Sequence, residues 1–549
     1  MKYIEGCGRT AITMLPDCVE DYVGEDNPVR VIDAFVDNLN IESMGFERSN
    51  PNQTGRPAYD PRDLLKLYIY GYFNKIRSSR KLMKECSRNV ELFFLIGKLR
   101  PDFRTIADFR KDNTVALQNV FRAFVKLCMK LKLYQKELIA IDGSKIRAQN
   151  SKDNCYTAEV LEKKISTIEK HIAEYLQQLD ETDETEDIVP EATADEIKTA
   201  IKELSNRKEK YREYLSRVKE SGEKQLLTTD PEARRMHSKD GFHCCYNVQT
   251  AVDDGSHLIA EYEVTNHNND TGLLCEVAGK VKKTLECETI STVADKGYDS
   301  RKDILDCVMN GVVPTVALKY DKDECLFSLD YEENHINEET RNSTNPVDIQ
   351  KCLHAGVLPA CYENTGISIE TQSLSETSCF ILNDHGTVTC PTGNILTKVK
   401  QRGKCLVFAS KEACRKCPNK CTSSSSFKTV SFGPETKTVP VRMYGNISCD
   451  INKIPEDEWI NPYNHTLDRN DHLKEKRVIL KVRMDEKTIK KRKCIVEHPF
   501  GTVKWTHGAH YVLCRGKEKA AAELGLSFLA YNLTRAINMV GVKKLIEAM

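Results

Sequence analysis

The sequence predicts an α/β fold: a mixed sheet with helices, preceded by a helical segment and interrupted by two long insertions. Three observations predict it. Residues 138–141 and 289–294 are short apolar runs rich in β-branched residues, and each delivers an aspartate beside a glycine: Asp142-Gly143-Ser144 and Asp295-Lys296-Gly297. Two more strand-like runs, 242–252 and 258–264, are joined by Asp253-Asp254-Gly255-Ser256, a hairpin signal. Helical patterns over 270–282 and from Arg301 then alternate with strand-like runs up to residue 318.

An aspartate ending an apolar strand needs an explanation, because burying a lone carboxylate costs several kcal/mol unless it is paired or binds a cation. For one such aspartate an Asx turn or a helix N-cap suffices. Here a second follows, and a third acid, Glu497, sits in the basic, helical stretch Lys490-Lys491-Arg492-Lys493-Cys494-Ile495-Val496-Glu497-His498-Pro499-Phe500-Gly501. Two strand-end aspartates and a glutamate suit Mg²⁺ or Mn²⁺, which prefer carboxylate oxygen. Two such ions about 4 Å apart can clamp an in-line phosphodiester displacement.

Composition bounds the rest. The chain has 549 residues, more than one core usually organises, so several domains are expected. Lys+Arg and Asp+Glu are equal at 81 each, so any polyanion must be met by local basic clusters. No apolar run is long enough to span a membrane, and Met1-Lys2-Tyr3-Ile4-Glu5 lacks a signal-peptide core. The 22 cysteines are therefore expected in a reducing cytoplasm, as free thiols or metal ligands.

In chain order, residues 1–135 read as a helical domain. Asp60-Pro61 is a good helix start, Ser78 or Ser79 caps a second helix, and Thr105 a third after Pro101. Arg77, Arg80 and Lys81 belong to a basic series that suits helix-turn-helix binding of DNA; a solvated helical face is the alternative. The sheet is assigned to 136–155, 236–318 and 487–549. Between its first pieces, 156–235 carries apolar residues at alternating spacings of four and three, including Leu161, Ile165, Ile168 and Ile172, and again Ile197, Ile201 and Leu204. That pattern predicts an antiparallel coiled-coil hairpin with Lys208 at its one polar seam position. His237, Tyr246, Asn247, Gln249 and Asp253 read as ordinary polar strand positions.

The second insertion, 319–486, contains a Cys-rich module at 390–421. Cys414, Cys417 and Cys421 place three thiolates within reach of one tetrahedral Zn²⁺, with Cys390 as fourth ligand and Cys379 and Cys405 as spares. Such an ion would hold an insertion with little core of its own. The closing helix, 520–539, is apolar on one side and reads as core. Trp505 reads as a core tryptophan, with stacking on a flipped base as the alternative.

Asp142-Gly143-Ser144, Ala294-Asp295-Lys296-Gly297-Tyr298 and Val496-Glu497-His498-Pro499-Phe500-Gly501 resemble the three catalytic blocks of a DDE transposase. The resemblance is to the IS4/IS5-like group of bacterial insertion sequences, the IS1182 family in particular, and covers nearly the whole chain. It implies a ribonuclease-H-like core in which the first and fourth strands are neighbours. It also implies two Mg²⁺ (or Mn²⁺) held by Asp142, Asp295 and Glu497, besides the structural Zn²⁺. The partners implied are the transposon's terminal inverted repeats and target DNA, both double-stranded, met by a homodimer in a bacterial, nucleoid-associated cytoplasmic setting with no membrane. In the wider group the glutamate helix carries a tyrosine seven before, an arginine four before and a lysine seven after the glutamate. Lys504 fits the last, Lys493 stands at the arginine position with Arg492 beside it, and Lys490 replaces the tyrosine. These three basic residues, Arg492, Lys493 and Lys504, are the expected phosphate contacts. A nuclease without strand transfer and a non-catalytic zinc/helix-turn-helix regulator are the alternative functions.

Overall fold

The computed structural model describes residues 18–47, 58–183, 191–238, 240–319, 323–373, 379–383, 385–417, 427–433, 436, 438–440 and 476–549. The chain forms two compact units, residues 1–304, 314–317 and 486–549, and residues 305–313 and 318–485.

The first unit opens with helices α1 (Pro28–Asp37), α2 (Pro61–Phe73), α3 (Ser79–Glu85), α4 (Val90–Leu95), α5 (Phe103–Asp112) and α6 (Thr114–Lys130). Asp60 caps α2 as expected, its carboxylate accepting the Arg62 N–H at 2.8 Å ahead of Pro61. The α5 cap is Asp102, not Thr105. Its carboxylate takes the N–H of Arg104 (2.8 Å) and Thr105 (3.3 Å), and the Thr105 hydroxyl donates to it as well.

The sheet follows. Its strands are β1 (Ile139–Arg147), β2 (Gly241–Asp253), β3 (Ile259–Thr265), β4 (Ile290–Ala294) and β5 (Val312–Val316), in spatial order β3-β2-β1-β4-β5. A short strand, Arg234–Ser238, covers the first half of the β2 edge. β1 and β3 are antiparallel to β2, whereas β4 lies parallel to β1. Three antiparallel strands, a helix (α9, Leu274–Thr284) and a parallel strand beside the first make a ribonuclease-H-like order. A parallel neighbour needs a long crossover, and α9 supplies it.

Between β1 and β2 stand two long helices, α7 (Ala158–Asp183) and α8 (Glu191–Ser221), packed against each other. Tyr156, Leu161 and Val218 are buried at their base with Tyr211, Tyr214 and Leu215 packed around them. Lys208, the polar seam residue, meets Glu169 at 2.9 Å, and Lys219 meets Glu162 at 3.1 Å. Exposed pairs of this kind contribute about 0–1 kcal/mol, so they favour one register while the apolar base carries the stability.

Two later helices, α10 (Arg301–Met309) and α11 (Glu486–Gly501), precede α12 (Lys517–Val540). α12 is buried well beyond one stripe, because α2, α6 and β3 all pack against it. The one-sided apolar face expected for 520–539 underestimates this: Glu523, Ser527 and Asn532 are buried too. Glu523 is matched by Arg77 of the segment between α2 and α3. Arg77 Nη2 donates to Glu523 Oε1 at 2.6 Å and to the Tyr511 carbonyl at 2.5 Å, and Nη1 donates to the Gly508 carbonyl. The carboxylate also accepts the N–H of Leu513 and Cys514. Removing one partner of such a buried pair costs about 3–5 kcal/mol. Arg77 is 8% exposed and joins the N-terminal helices to the end of the chain; it is not placed to meet a phosphate, contrary to the expectation from sequence.

The second unit is mostly β. One antiparallel sheet has the order Ile367–Ser373, Lys476–Arg483, Glu324–Asp330. Another runs Thr429–Phe432, Cys405–Ala409, Ile395–Arg402, Val388–Thr389, Cys379–Leu382, Thr438–Pro440. The second sheet buries Phe380, Val388, Leu396, Phe408, Val430 and Phe432 together, with the rings of Phe408 and Phe432 edge to face at 5.7 Å. The insertion therefore has an apolar core of its own, which its Ser/Thr-rich composition concealed.

Candidate active site

β1 begins with Ile139, Ala140 and Ile141 fully buried, and Asp142 is where it leaves the core. Gly143-Ser144 has the composition of a turn, but the strand runs straight through it. It pairs with β2 without a break from Ile139↔Asp253 to Arg147↔Cys245. On its other side Ile139 and Ala140 pair with Thr292 and Val293 of β4. Two residues further along each strand stand Asp142 and Asp295, so the parallel register delivers the two aspartates side by side. Asp295 does cap a single helical turn, Lys296–Tyr298, its Oδ1 accepting the Gly297 N–H at 2.8 Å. The N-cap reading is thus correct for one oxygen of this carboxylate.

The third acid arrives on α11, which packs on β1 and β4. Glu497 is 65% exposed and stands 3.8 Å from the Lys493 ammonium one turn earlier. Arg492 turns to the strand end instead, with Nη1 3.3 Å from Asp142 Oδ2. Asp142, Asp295, Glu497, Arg492, Lys145 and Lys504 line one cleft of about 1000 Å³. All three acids expected from sequence come together there.

After Pro499 and Gly501 the helix widens into a π-helical turn, Thr502–Thr506. Such turns are rare and favour functional sites. Lys504 donates from it to Ser144 Oγ and to the Lys145 carbonyl (3.1 Å), so it reaches the far side of the cleft. Trp505 is 75% exposed, lines the cleft and stacks beside His510 with ring centres 6.0 Å apart. The core role read from sequence is incorrect, because the wider turn swings the indole out of the apolar stripe.

Other expected residues lie elsewhere. Arg80 and Lys81 are exposed on α3, Arg80 stacked over Phe103 at 5.0 Å, and neither lines the cleft. In the second unit Thr392 Oγ1 lies 3.0 Å from Cys390 Sγ and 3.6 Å from Cys417 Sγ, so two of the four proposed zinc thiols flank one hydroxyl. Cys414 sits in the short helix Lys411–Lys416, and Cys421 lies outside the described residues.

One residue of this neighbourhood, Asp270, has no counterpart among the sequence expectations, and two, Asn247 and Gln249, are more than the ordinary polar strand positions read there. Asp270, before α9, accepts hydrogen bonds from the side-chain amides of Asn247 and Gln249, both at 2.7 Å. Asn247 and Gln249 are 0% exposed on β2. Two amides at alternate positions of a largely buried strand were the available signal, since buried amides need partners.

The cluster of acids strains its own ionisation. Burial, opposed by the Arg492 guanidinium and reinforced by Asp295, pushes the Asp142 carboxyl up to about 6. The Tyr298 phenol beside it is held well above its ordinary range, first by burial and then by Asp270, Asp142 and Asp295. Carboxylates crowded in this way favour a divalent cation, and the all-oxygen donor set suits Mg²⁺ or Mn²⁺.

Among known proteins, a family model described as Transposase domain (DUF772) matches residues 17–112, and one described as Transposase DDE domain matches residues 134–352. The second match includes Asp142 and Asp295 and ends well before Glu497. No curated protein matches this chain. Among solved structures, the cryo-EM structure of the piggyBac transposase synaptic complex with hairpin DNA aligns over 95% of this chain and 79% of that one. The two share 9% identity at a TM-score of 0.29. Among the described residues no helix is long and apolar enough to cross a membrane.

The raised Asp142 carboxyl sets a pH dependence for the metal-free protein. Its folded value, about 6, lies above the ordinary 3.8, so folding favours the protonated form. That contribution is complete below the ordinary value and is lost as pH rises through the folded one, on the order of 3 kcal/mol in full. Asp142→Asn, which does not ionise, should therefore gain in melting temperature relative to wild type between pH 5 and pH 7 in chelator. A difference that stays constant over that range would show that Asp142 is not buried as described.

Proposed function

Since this chain belongs to the DDE transposases, enzymes that cut and rejoin DNA, we propose that Asp142, Asp295 and Glu497 are its catalytic acids. The observation that carries the assignment is the single cleft lined by all three. The acids would hold two Mg²⁺ or Mn²⁺. When bound, the metals supply Lewis-acid activation of the attacking oxygen and stabilisation of the leaving one in in-line displacement at phosphorus.

The chain's own residues do the rest. Arg492 balances Asp142 in the metal-free site, at 3.3 Å, and faces the cleft where a phosphate enters. Lys493 and Lys504 neutralise flanking phosphates, which is how a protein of formal net charge zero holds a polyanion. Lys504 also ties the π-helical turn to β1 through Ser144 and Lys145. The exposed indole of Trp505 offers a stacking face for a base displaced at the cut end. Arg80 and Lys81, exposed on α3, are available to DNA further from the cleft. The DNA bound would be the element's own terminal inverted repeats and then target DNA, met by a homodimer in the bacterial cytoplasm. The hairpin of α7 and α8 would act as a coiled-coil strut.

A structural Zn²⁺ held by Cys390, Cys414, Cys417 and Cys421 completes the proposal. Thr392, shared by two of these thiols, supports it. Its role would be local, since the insertion has its own core.

Changing Asp295 to Ala should reduce Mg²⁺-dependent nicking of the element's ends by more than the roughly 100-fold that loss of an outer-shell partner costs, while gel-shift affinity for those ends is unchanged. An Asp295→Ala protein that still nicks would overturn the triad. For the second metal, elemental analysis of protein purified without added metal should find about one Zn²⁺ per chain. Well-folded protein without zinc would remove that part of the proposal.

A further inference from the structure

Asp270 does not line the cleft, yet the two segments that carry Asp142 and Asp295 are shaped around its carboxylate. Oδ1 accepts both buried amides, Asn247 Nδ2 and Gln249 Nε2, at 2.7 Å, and the Lys145 ammonium stands 3.9 Å away. Two amide donors and a nearby cation converging on one group suit a carboxylate oxygen, which accepts. A β-carbon on Gly143, directly after Asp142, would overlap Asp270 Oδ1 and Gln249 Nε2; one on Gly297, two residues after Asp295, would meet Asp295 Oδ1 at 2.9 Å and Asp270 Oδ2 at 3.3 Å. Neither glycine has a positive φ, so close approach is what excludes a side chain at Gly143. Two further ties close the ring. The Tyr298 hydroxyl donates to Gln249 Oε1, and the Thr271 hydroxyl, next to Asp270, donates to the Gly297 carbonyl at 3.1 Å.

We propose that Asp270 is a positioning residue that sets the spacing between the Asp142 and Asp295 strand ends, and through them the geometry open to a divalent cation. The inference rests on the triad reading above and extends it to a fourth acid. Hydrogen bonding holds the carboxylate from β2, and the glycines let both strand ends close on it. Tyr298 acquires a role as well, since it orients the Gln249 amide toward Asp270. A residue acting this way behaves as an outer-shell partner of the metal site, and loss of such partners costs roughly 10–100-fold in metal affinity or activity.

The test is Mn²⁺ binding to the full chain without DNA, read by electron paramagnetic resonance of the unbound ion, with melting curves to verify folding. Asp270→Ala should weaken Mn²⁺ binding by roughly 10–100-fold. Asp270→Asn, which keeps an acceptor oxygen within reach of both amides, should recover most of that loss. If Asp270→Ala does not fold, Asp270→Ser is read in the same way. Affinity within twofold of wild type in a folded Ala or Ser variant would overturn the proposal. So would an Asn variant as impaired as Ala, because a direct metal ligand, not a positioning residue, behaves so. Asp295→Ala is the control: if it too binds Mn²⁺ like wild type, the triad reading has failed instead.

Discussion

The parallel pairing of β1 with β4 is the constraint on which the site depends. Ala140 stands opposite Val293, and each strand runs two residues further before its acid leaves the core. Side chains alternate across a sheet, so a slip of one residue would send one aspartate to the opposite face. The register is held from both sides. β2 pairs with β1 along its whole length, and the Asp295 cap stops β4 where its apolar run ends. The β-branched, fully buried residues before each acid make any other register costly, because it would expose them and bury a charge.

Around that pair the charges are distributed, not summed. The chain as a whole is neutral, but α11 and the turn after it place Arg492 and Lys504 in the cleft wall and Lys493 beside Glu497, the one acid they offer there. Arg492 and Lys493 are adjacent in sequence and divide their work: the first faces Asp142, the second stands one helical turn from Glu497. The residue at the arginine position of the wider group is thus a lysine, and the guanidinium beside it reaches the strand-end acid. Away from the cleft, the buried Arg77–Glu523 pair ties α12 to the N-terminal helices, so a residue with the composition of a DNA contact serves the core.

Much of this was legible from sequence where local chemistry and final role coincide. Apolar runs ending in Asp142 and Asp295 became adjacent strands, Asp60-Pro61 started a helix, and Glu497 came to the same cleft. The misreadings share a cause: in each, a tertiary neighbour overrode the local signal. Gly143-Ser144 looks like a turn, but the glycine is there because Asp270 occupies the space of a β-carbon. Arg77 looks like part of a basic face until Glu523, far along the chain, takes it up. Trp505 looks apolar and central until a π-helical turn rotates it outward. Asn247 and Gln249 look like ordinary polar strand positions because their partner, Asp270, lies about twenty residues further along the chain.

The central claim is that Asp142, Asp295 and Glu497 bind metal together although Glu497 is largely exposed and paired with Lys493. Anomalous scattering from Mn²⁺ in crystals of the protein bound to its own element ends addresses this most directly. The account predicts Mn²⁺ peaks in the cleft in contact with all three carboxylates, with Lys493 moved off Glu497. Peaks touching only the two aspartates, with Glu497 still turned to Lys493, would contradict it.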